Sequence, residues 1–256
     1  MQPADAPQPS MQPIAVVGRG RVGGSLARAL RAAGIEVSLA GREGPAPATE
    51  VAILCVPDGE IESACEQAIA RAPGIRFVAH TSGATMLSAL APATSRGAAA
   101  FSLHPLQTVP DPEADLAGSP AAIAGTSPGA VDLAHRIARA CRMVPFDVPE
   151  DSRAAYHAAA AIASNFLVTL ESSAEELLAA AGVENGRELL TPLVLRSAEN
   201  WARRGSGALT GPIARGDEAT VARHLEAIAQ SAPALEPMYL ALAERTREMA
   251  AAGRTT

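Results

Sequence analysis

Residues 14–34, Ile-Ala-Val-Val-Gly-Arg-Gly-Arg-Val-Gly-Gly-Ser-Leu-Ala-Arg-Ala-Leu-Arg-Ala-Ala-Gly, leave this chain little choice of fold. The unbroken apolar run Ile14 to Val17 suits a strand covered on both faces of a parallel sheet. Gly18, Gly20 and Gly23 then fill the pattern G-x-G-x-x-G. Val22, Leu26, Ala29, Leu30 and Ala33 recur at helical spacing until Gly34 stops the helix. Each glycine has a mechanical reason. Gly18 permits the sharp turn off the strand, Gly20 lets backbone approach a diphosphate with no side chain between them, and Gly23 brings helix and sheet together. Amides of the first helical turn, with the positive end of the helix dipole behind them, face the phosphates. Arg19, Arg21 and Val22 complete the turn, the two arginines being further phosphate candidates or simply solvated. Ordinary glycine-rich turns also produce this pattern, but the strand before, the helix after and a second strand at residues 36–40 favour dinucleotide binding.

The tip of that second strand chooses between dinucleotides. An NAD site usually carries Asp or Glu about 20 residues past the glycines, where it accepts hydrogen bonds from the adenosine ribose. This chain ends the strand with Leu39-Ala-Gly-Arg42 and has no carboxylate at the tip. A guanidinium pairs bidentately with a 2′-phosphate, a contact worth roughly 1.5–3 kcal/mol. Arg42 therefore predicts NADP, with a solvated loop arginine as the alternative.

Lysine is absent: all 21 basic residues are arginine. That removes a Walker-type phosphate loop, Schiff-base chemistry and any lysine acid or base. A formal net charge of −6 with no basic stripe argues against a nucleic-acid partner. Aromatics are only 3% of the chain, so its core must be built from Ala, Val, Leu and Ile. Cys55, Cys65 and Cys141 are odd in number and form no C-x-x-C pair. They predict inert thiols, no metal site and a reducing cytoplasm. No apolar run reaches the length of a membrane span. Residues 1–13, rich in Pro and Gln, read as a disordered lead-in rather than a signal peptide.

Further strands are expected at residues 50–57, 75–80, 98–104, 121–124 and 143–148, with helices from about 59 and over 129–140. The class is α/β: a doubly wound, mostly parallel Rossmann sheet over residues 14–150, then an all-helical domain over 151–256. After Asp151 the strand signals stop, and residues 152–181 read as one long helix.

Ligands of such sheets sit outside the carboxyl ends of the strands, which places Val56, Pro57, Asp58, Ser82 and Gly83 near the dinucleotide. Asp58 reads equally as a helix cap, and Ser82-Gly83 as a turn. His80 and His104 end strands on the same side, whereas His135 and His224 read as structural or solvated. His157, Ser164 and Asn165 are spaced by seven and eight, so one long helix sets them on a single face that lines a cleft or meets water. Residues 209–217 read as a rigid turn carrying Thr210, Arg215 and Asp217. Arg215 suits a substrate carboxylate or a surface pair with Asp217, and Asp217 suits the cap of a helix over 218–230.

Several stretches together resemble one family: Gly-Arg-Gly-Arg-Val-Gly at 18–23, Ser-Leu-His-Pro-Leu-Gln at 102–107, Tyr-His-Ala-Ala-Ala at 156–160, Ala-Ser-Asn-Phe at 163–166 and Leu-Thr-Gly-Pro-Ile-Ala-Arg-Gly-Asp at 209–217. The resemblance is to Rossmann-like proteins with a C-terminal domain of unknown function 2520. That family is similar in plan to pyrroline-5-carboxylate reductase, the β-hydroxyacid dehydrogenases and ketopantoate reductase. The resemblance implies an NADP-binding first domain, a helical second domain like that of 6-phosphogluconate dehydrogenase that forms a homodimer, and a substrate cleft between them. It implies an NADPH-dependent oxidoreductase reducing a small carboxylate-bearing 2-oxo acid, ketopantoate-like, or an imine. Asn165 would orient the substrate, Ser164, Thr210 and Arg215 would bind it, and His157 or His104 would deliver the proton. The hydroxyacid enzymes carry a lysine one turn before that asparagine; this chain has Ala161 there, with His157 one turn further back. Their acid–base mechanism therefore does not transfer. An NADP-binding sensor or scaffold without turnover is the alternative.

Overall fold

The computed structural model describes residues 11–41, 44–46 and 48–253. It divides into two compact units, Met1–Ala161 and Ile162–Thr256.

The first unit is built on seven strands: β1 (Ile14–Val17), β2 (Val37–Ala40), β3 (Val51–Leu54), β4 (Phe77–His80), β5 (Ala99–Pro105), β6 (Pro120–Gly125) and β7 (Val144–Asp147). Their order is β2-β1-β3-β4-β5-β6-β7, and every neighbouring pair is parallel except β5 and β6. The expected class, a mostly parallel sheet followed by helices, is what the chain forms. Register aligns the strand ends that matter: Val17 lies beside Leu54, Leu54 beside His80, and His80 beside Ser102.

Both faces are covered, which is why the central strands are apolar throughout. On one face Leu26 and Leu30 of α1 (Arg21–Ala32) and Leu133 and Ile137 of α4 (Pro128–Ala140) pack on Ile14, Val16, Ile53 and Phe101. On the other, Ile61, Cys65 and Ile69 of α2 (Ile61–Arg71) and Ala93 of α3 (Ala91–Thr94) pack on Val17, Leu54, Val78 and Ala100. The alternation of Val16 and Val17 between these cores is the period of two that a strand imposes. Asp58 does not cap α2: it opens a 3-10 turn, Asp58–Glu60, and no side-chain hydrogen bond caps either element.

The remaining helices are α5 (Arg153–Ala163), α6 (Asn165–Ala180), α7 (Gly186–Arg204), α8 (Gly211–Arg215), α9 (Glu218–Ser231) and α10 (Glu236–Gly253). The single helix expected over 152–181 is interrupted at Ser164, a turn residue at φ −119° and ψ −69° between α5 and α6. Its hydroxyl donates to Asn165 Oδ1 at 3.0 Å, and such local side-chain bonding competes with helix continuation. The sequence boundary at 150/151 also differs from the division of the compact units, because α5 starts with a side chain buried in the first unit, Arg153.

The stretch 209–217 is a short helix rather than a turn, with Pro212 in its first turn and Gly216 at φ 75° ending it. Asp217 caps α9 as expected, accepting from Thr220 N at 3.1 Å. Among the described residues no helix is long and apolar enough to cross a membrane.

Candidate functional site

The glycine turn has the geometry its sequence requires. Gly18 stands at φ 116°, and a Cβ there would lie 2.1 Å from the Cys55 carbonyl oxygen. A Cβ on Gly23 would lie 1.9 Å from the Gly18 oxygen. Gly20, the residue before α1, has nothing within 4 Å of where its Cβ would be and an extended backbone. Two glycines thus serve the fold, and the third opens the surface. No side chain caps α1, so the amides of its first turn are free to meet an anion.

A cavity of about 480 Å³ adjoins this turn, lined by Val17, Gly18, Arg19, Val56 and, at the end of β2, Gly41 and Gly44. Glu60 of the 3-10 turn and Ser63 and Gln67 of α2 form another wall. Arg42 lies outside the described residues, although the flanking glycines line the cavity. Arg21 is exposed beside the turn, Val22 is half-buried, and Pro57 and Asp58 are exposed at the end of β3.

Further along the same sheet edge the ends of β4 and β5 meet the start of α5. Arg153 is only 1% exposed; it donates to Ser102 Oγ at 2.7 Å and to the Ser82 carbonyl at 2.6 Å. One turn on, Tyr156 Oη lies 2.7 Å from His104 Nδ1, with the rings edge-on at 5.7 Å. The His157 ring stands 6.1 Å from that of His104. Both imidazoles close over Gly83, where a Cβ would lie 2.6 Å from His157 Cδ2 and 2.9 Å from His104 Nε2. Gly83 is therefore the floor of this cluster. Ser82 takes the turn role: its hydroxyl donates to Thr85 Oγ1 and accepts from Thr85 N, each at 2.9 Å.

Burial dominates the electrostatics. It pushes His104 down to about 4, helped by the neighbouring His157 and Arg153. His80, fully buried, is also held down to about 4, first by burial and then by Arg153. Burial raises Tyr156 to about 12 against the pull of Arg153. The thiols are unreactive for the same reason, with Cys55 and Cys141 pushed up to about 12 and Cys65 to about 11. At neutral pH the His104 imidazole is thus uncharged and Tyr156 a neutral phenol, beside the buried Arg153 cation.

The residues expected from sequence fall into two sets. The turn glycines, Ser82, Gly83, His104 and His157 all lie in the first unit, the last three in mutual contact. Ser164, Asn165, Thr210 and Arg215 belong to the second unit. There Asn165, Thr210 and Arg215 are exposed, and Thr210 precedes α8 without capping it through its side chain. Arg215 and Asp217 form no ion pair among the described residues, since the Asp217 carboxylate is taken by Thr220 N and Oγ1. His135 and His224 engage Asp147 and Tyr239 at 2.7 and 2.8 Å, outside this cluster.

Sequence reasoning missed Tyr156 and Arg153. Tyr156 had a signal, as one of two tyrosines in the chain and the immediate neighbour of His157. Arg153 had none, because an arginine opening a helix ordinarily reads as solvated.

Two family models match. Residues 36–105 match a Rossmann-like domain, and residues 119–246 match the domain of unknown function 2520. No curated protein sequence matches the chain. Among solved structures, a candidate NADP oxidoreductase from Bacteroides fragilis is 22% identical with a TM-score of 0.76, over 93% of this chain and 98% of that one. Plasmodium falciparum pyrroline carboxylate reductase, solved with NADP bound, is 15% identical with a TM-score of 0.60, over 94% and 99%. A reductive aminase from Aspergillus terreus, in complex with NADPH and a keto ester, is 17% identical with a TM-score of 0.66, over 91% and 93%. At these identities the likeness is one of fold.

Proposed function

The chain belongs to the family defined by the domain of unknown function 2520, carried behind a Rossmann-like domain, and on that premise we propose that it is an NADPH-dependent oxidoreductase. Its substrate is a small carboxylate-bearing 2-oxo acid or an imine. The observation that carries this reading is the cluster of His104, Tyr156 and His157 on the same sheet edge as a glycine turn whose middle glycine opens onto free space. Two proteins of similar fold, a candidate NADP oxidoreductase and a pyrroline carboxylate reductase with NADP bound, support it.

The residues present fit the coenzyme. Gly18, Gly20 and Gly23 with the first amides of α1 hold the diphosphate, Arg19 and Arg42 take the 2′-phosphate, and Val56, Pro57, Asp58 and Gly83 border the rest. When bound, the reduced nicotinamide supplies a hydride. The chain must then deliver one proton to the oxygen or nitrogen left negative, and His104 or His157 delivers it. Ser164, Asn165, Thr210 and Arg215 are the proposed substrate ligands, Arg215 taking the carboxylate.

Calorimetry with NADPH and NADH tests the coenzyme, and loss of reduced-coenzyme absorbance against a panel of 2-oxo acids and cyclic imines tests turnover. We expect NADPH to bind at least about tenfold more tightly than NADH, roughly 1.4 kcal/mol, and one class of substrate to be reduced. Binding without any turnover would point to a sensor or scaffold. Equal affinity for the two coenzymes would remove Arg42 from the reading.

The second unit supports a homodimer. Phe166, Leu167 and Val168 of α6 and Leu189, Leu193 and Trp201 of α7 are all more than 40% exposed, a larger apolar surface than a monomer ordinarily leaves in water. We expect sedimentation to give twice the chain mass and Leu193→Glu to give a monomer; a wild-type monomer at all concentrations removes the dimer. The free cysteines support a cytoplasmic protein.

A further inference from the structure

We propose that Tyr156 is the proton reserve behind His104, the two forming a relay in which the phenol feeds Nδ1 of the ring while Nε2 hands its own proton to the substrate. The inference rests on the reductase reading above and deepens it by deciding between His104 and His157 as the group that meets the substrate.

The difficulty that Tyr156 resolves is a matter of proton count. A neutral imidazole has one N–H. If it surrenders that proton with nothing in return it becomes an anion, which a buried site does not tolerate. The His104 ring is uncharged at neutral pH because burial and its two neighbours, His157 and Arg153, disfavour the cation. It can therefore act as an acid only if its other nitrogen is reprotonated in the same event. A donor stands there: Tyr156 Oη is 2.7 Å from Nδ1.

The direction of that hydrogen bond follows from the partners available. Among the described residues Tyr156 Oη has no hydrogen-bond partner besides His104. A phenol O–H is a stronger donor than a neutral imidazole N–H, and an imidazole nitrogen a stronger acceptor than a phenol oxygen, so the phenol donates to Nδ1. The ring proton then sits on Nε2, at the edge that leans over Gly83. Phe146, edge-on to Tyr156 at 6.0 Å, holds the phenol from its other side. Arg153 supplies the countercharge: burial holds the Tyr156 ionisation up, and the Arg153 cation opposes that rise, its guanidinium being fixed by Ser102 Oγ and the Ser82 carbonyl.

The balance is as follows. When bound, the reduced nicotinamide would supply the hydride for the new C–H bond, the π pair of the C=O or C=N bond going onto oxygen or nitrogen. That atom takes the proton from His104 Nε2, the N–H pair returning to the ring. The ring takes the Tyr156 proton at Nδ1, leaving a phenolate beside Arg153; once product departs, Nε2 is reprotonated from water and the Nδ1 proton returns to the phenolate, with the hydroxide so formed neutralised by solvent. Substrate is reduced by two electrons, coenzyme is oxidised by two, and the relay ends as it began.

Tyr156→Phe keeps the ring and removes the reserve. The test has two readouts on the full-length protein. Histidine-ring nitrogen NMR, without substrate, should show His104 as the Nε2–H tautomer in the wild type and a mixture of tautomers in Tyr156→Phe. Steady-state kinetics with NADPH and the reduced substrate should show kcat falling about 100-fold or more, with KM and coenzyme affinity within twofold and an unchanged thermal transition. A wild-type Nδ1–H tautomer, or a Tyr156→Phe enzyme retaining kcat within twofold while the wild type turns over, overturns the relay and leaves the reductase reading standing. A wild-type protein that binds NADPH but reduces nothing overturns both.

Discussion

Gly20→Ala folds as the parent does and loses at least about tenfold in affinity for NADPH, roughly 1.4 kcal/mol, whereas Gly18→Ala and Gly23→Ala fail at folding. The three glycines look alike in sequence, but their surroundings differ. A methyl group on Gly18 would penetrate the Cys55 carbonyl, at 2.1 Å, on a backbone whose φ of 116° already excludes it. On Gly23 it would meet the Gly18 oxygen at 1.9 Å. Neither obstacle is a flexible side chain that can step aside, so each variant should lose more than about 4 kcal/mol and accumulate as insoluble protein. On Gly20 the methyl meets nothing. Its thermal unfolding should stay within about 0.5 kcal/mol of the parent, and only a phosphate approaching the backbone would detect it. Undiminished NADPH affinity in Gly20→Ala would show that the diphosphate lies elsewhere.

Arg153→Met should cost about 2–4 kcal/mol and flatten the acid limb of the stability profile. Arg153 fastens α5 to the ends of β4 and β5 through two hydrogen bonds, and methionine leaves those buried acceptors without donors. Relief of the cation's own burial penalty, which lowers its pKa, keeps the loss from being larger. The pH effect follows from linkage. His80 and His104 titrate near 4 in the folded chain, against 6.5 as the ordinary value. The unfolded chain therefore binds more protons between those limits, so the contribution to stability is intact above pH 6.5 and is lost as pH falls toward 4. Removing the Arg153 charge takes away the second cause of the His80 shift and the third cause of the His104 shift, while burial, the first in both, remains. Both midpoints should rise and the acid loss should shrink. Chemical denaturation at pH 7 and pH 5 reads this directly, and an unchanged difference between the two pH values would show that Arg153 does not act on these rings.

The first unit was largely legible because its signals are local. The run Ile14–Val17 with its glycines and the strand at Val51–Leu54 each follow from a few adjacent residues. What was hidden depends on distance along the chain. His104 and Tyr156 are 52 positions apart and Arg153 reaches Ser82 across 71, so neither contact leaves a trace in spacing. The alanine-rich stretch around Ser164 misled for the opposite reason. Its composition favours helix at every position, and the single turn residue that divides α5 from α6 has no compositional mark. His157 was found by pairing it with Asn165 on a helix that is not continuous; the partners it has in the structure are His104 and the bare Gly83.

Because α5 contributes Arg153, Tyr156 and His157 before the chain passes Ala161, the groups proposed to move a proton all belong to the same unit as the glycine turn. On that proposal, remodelling the helices after residue 161 would alter which molecule is accepted and leave the acid in place.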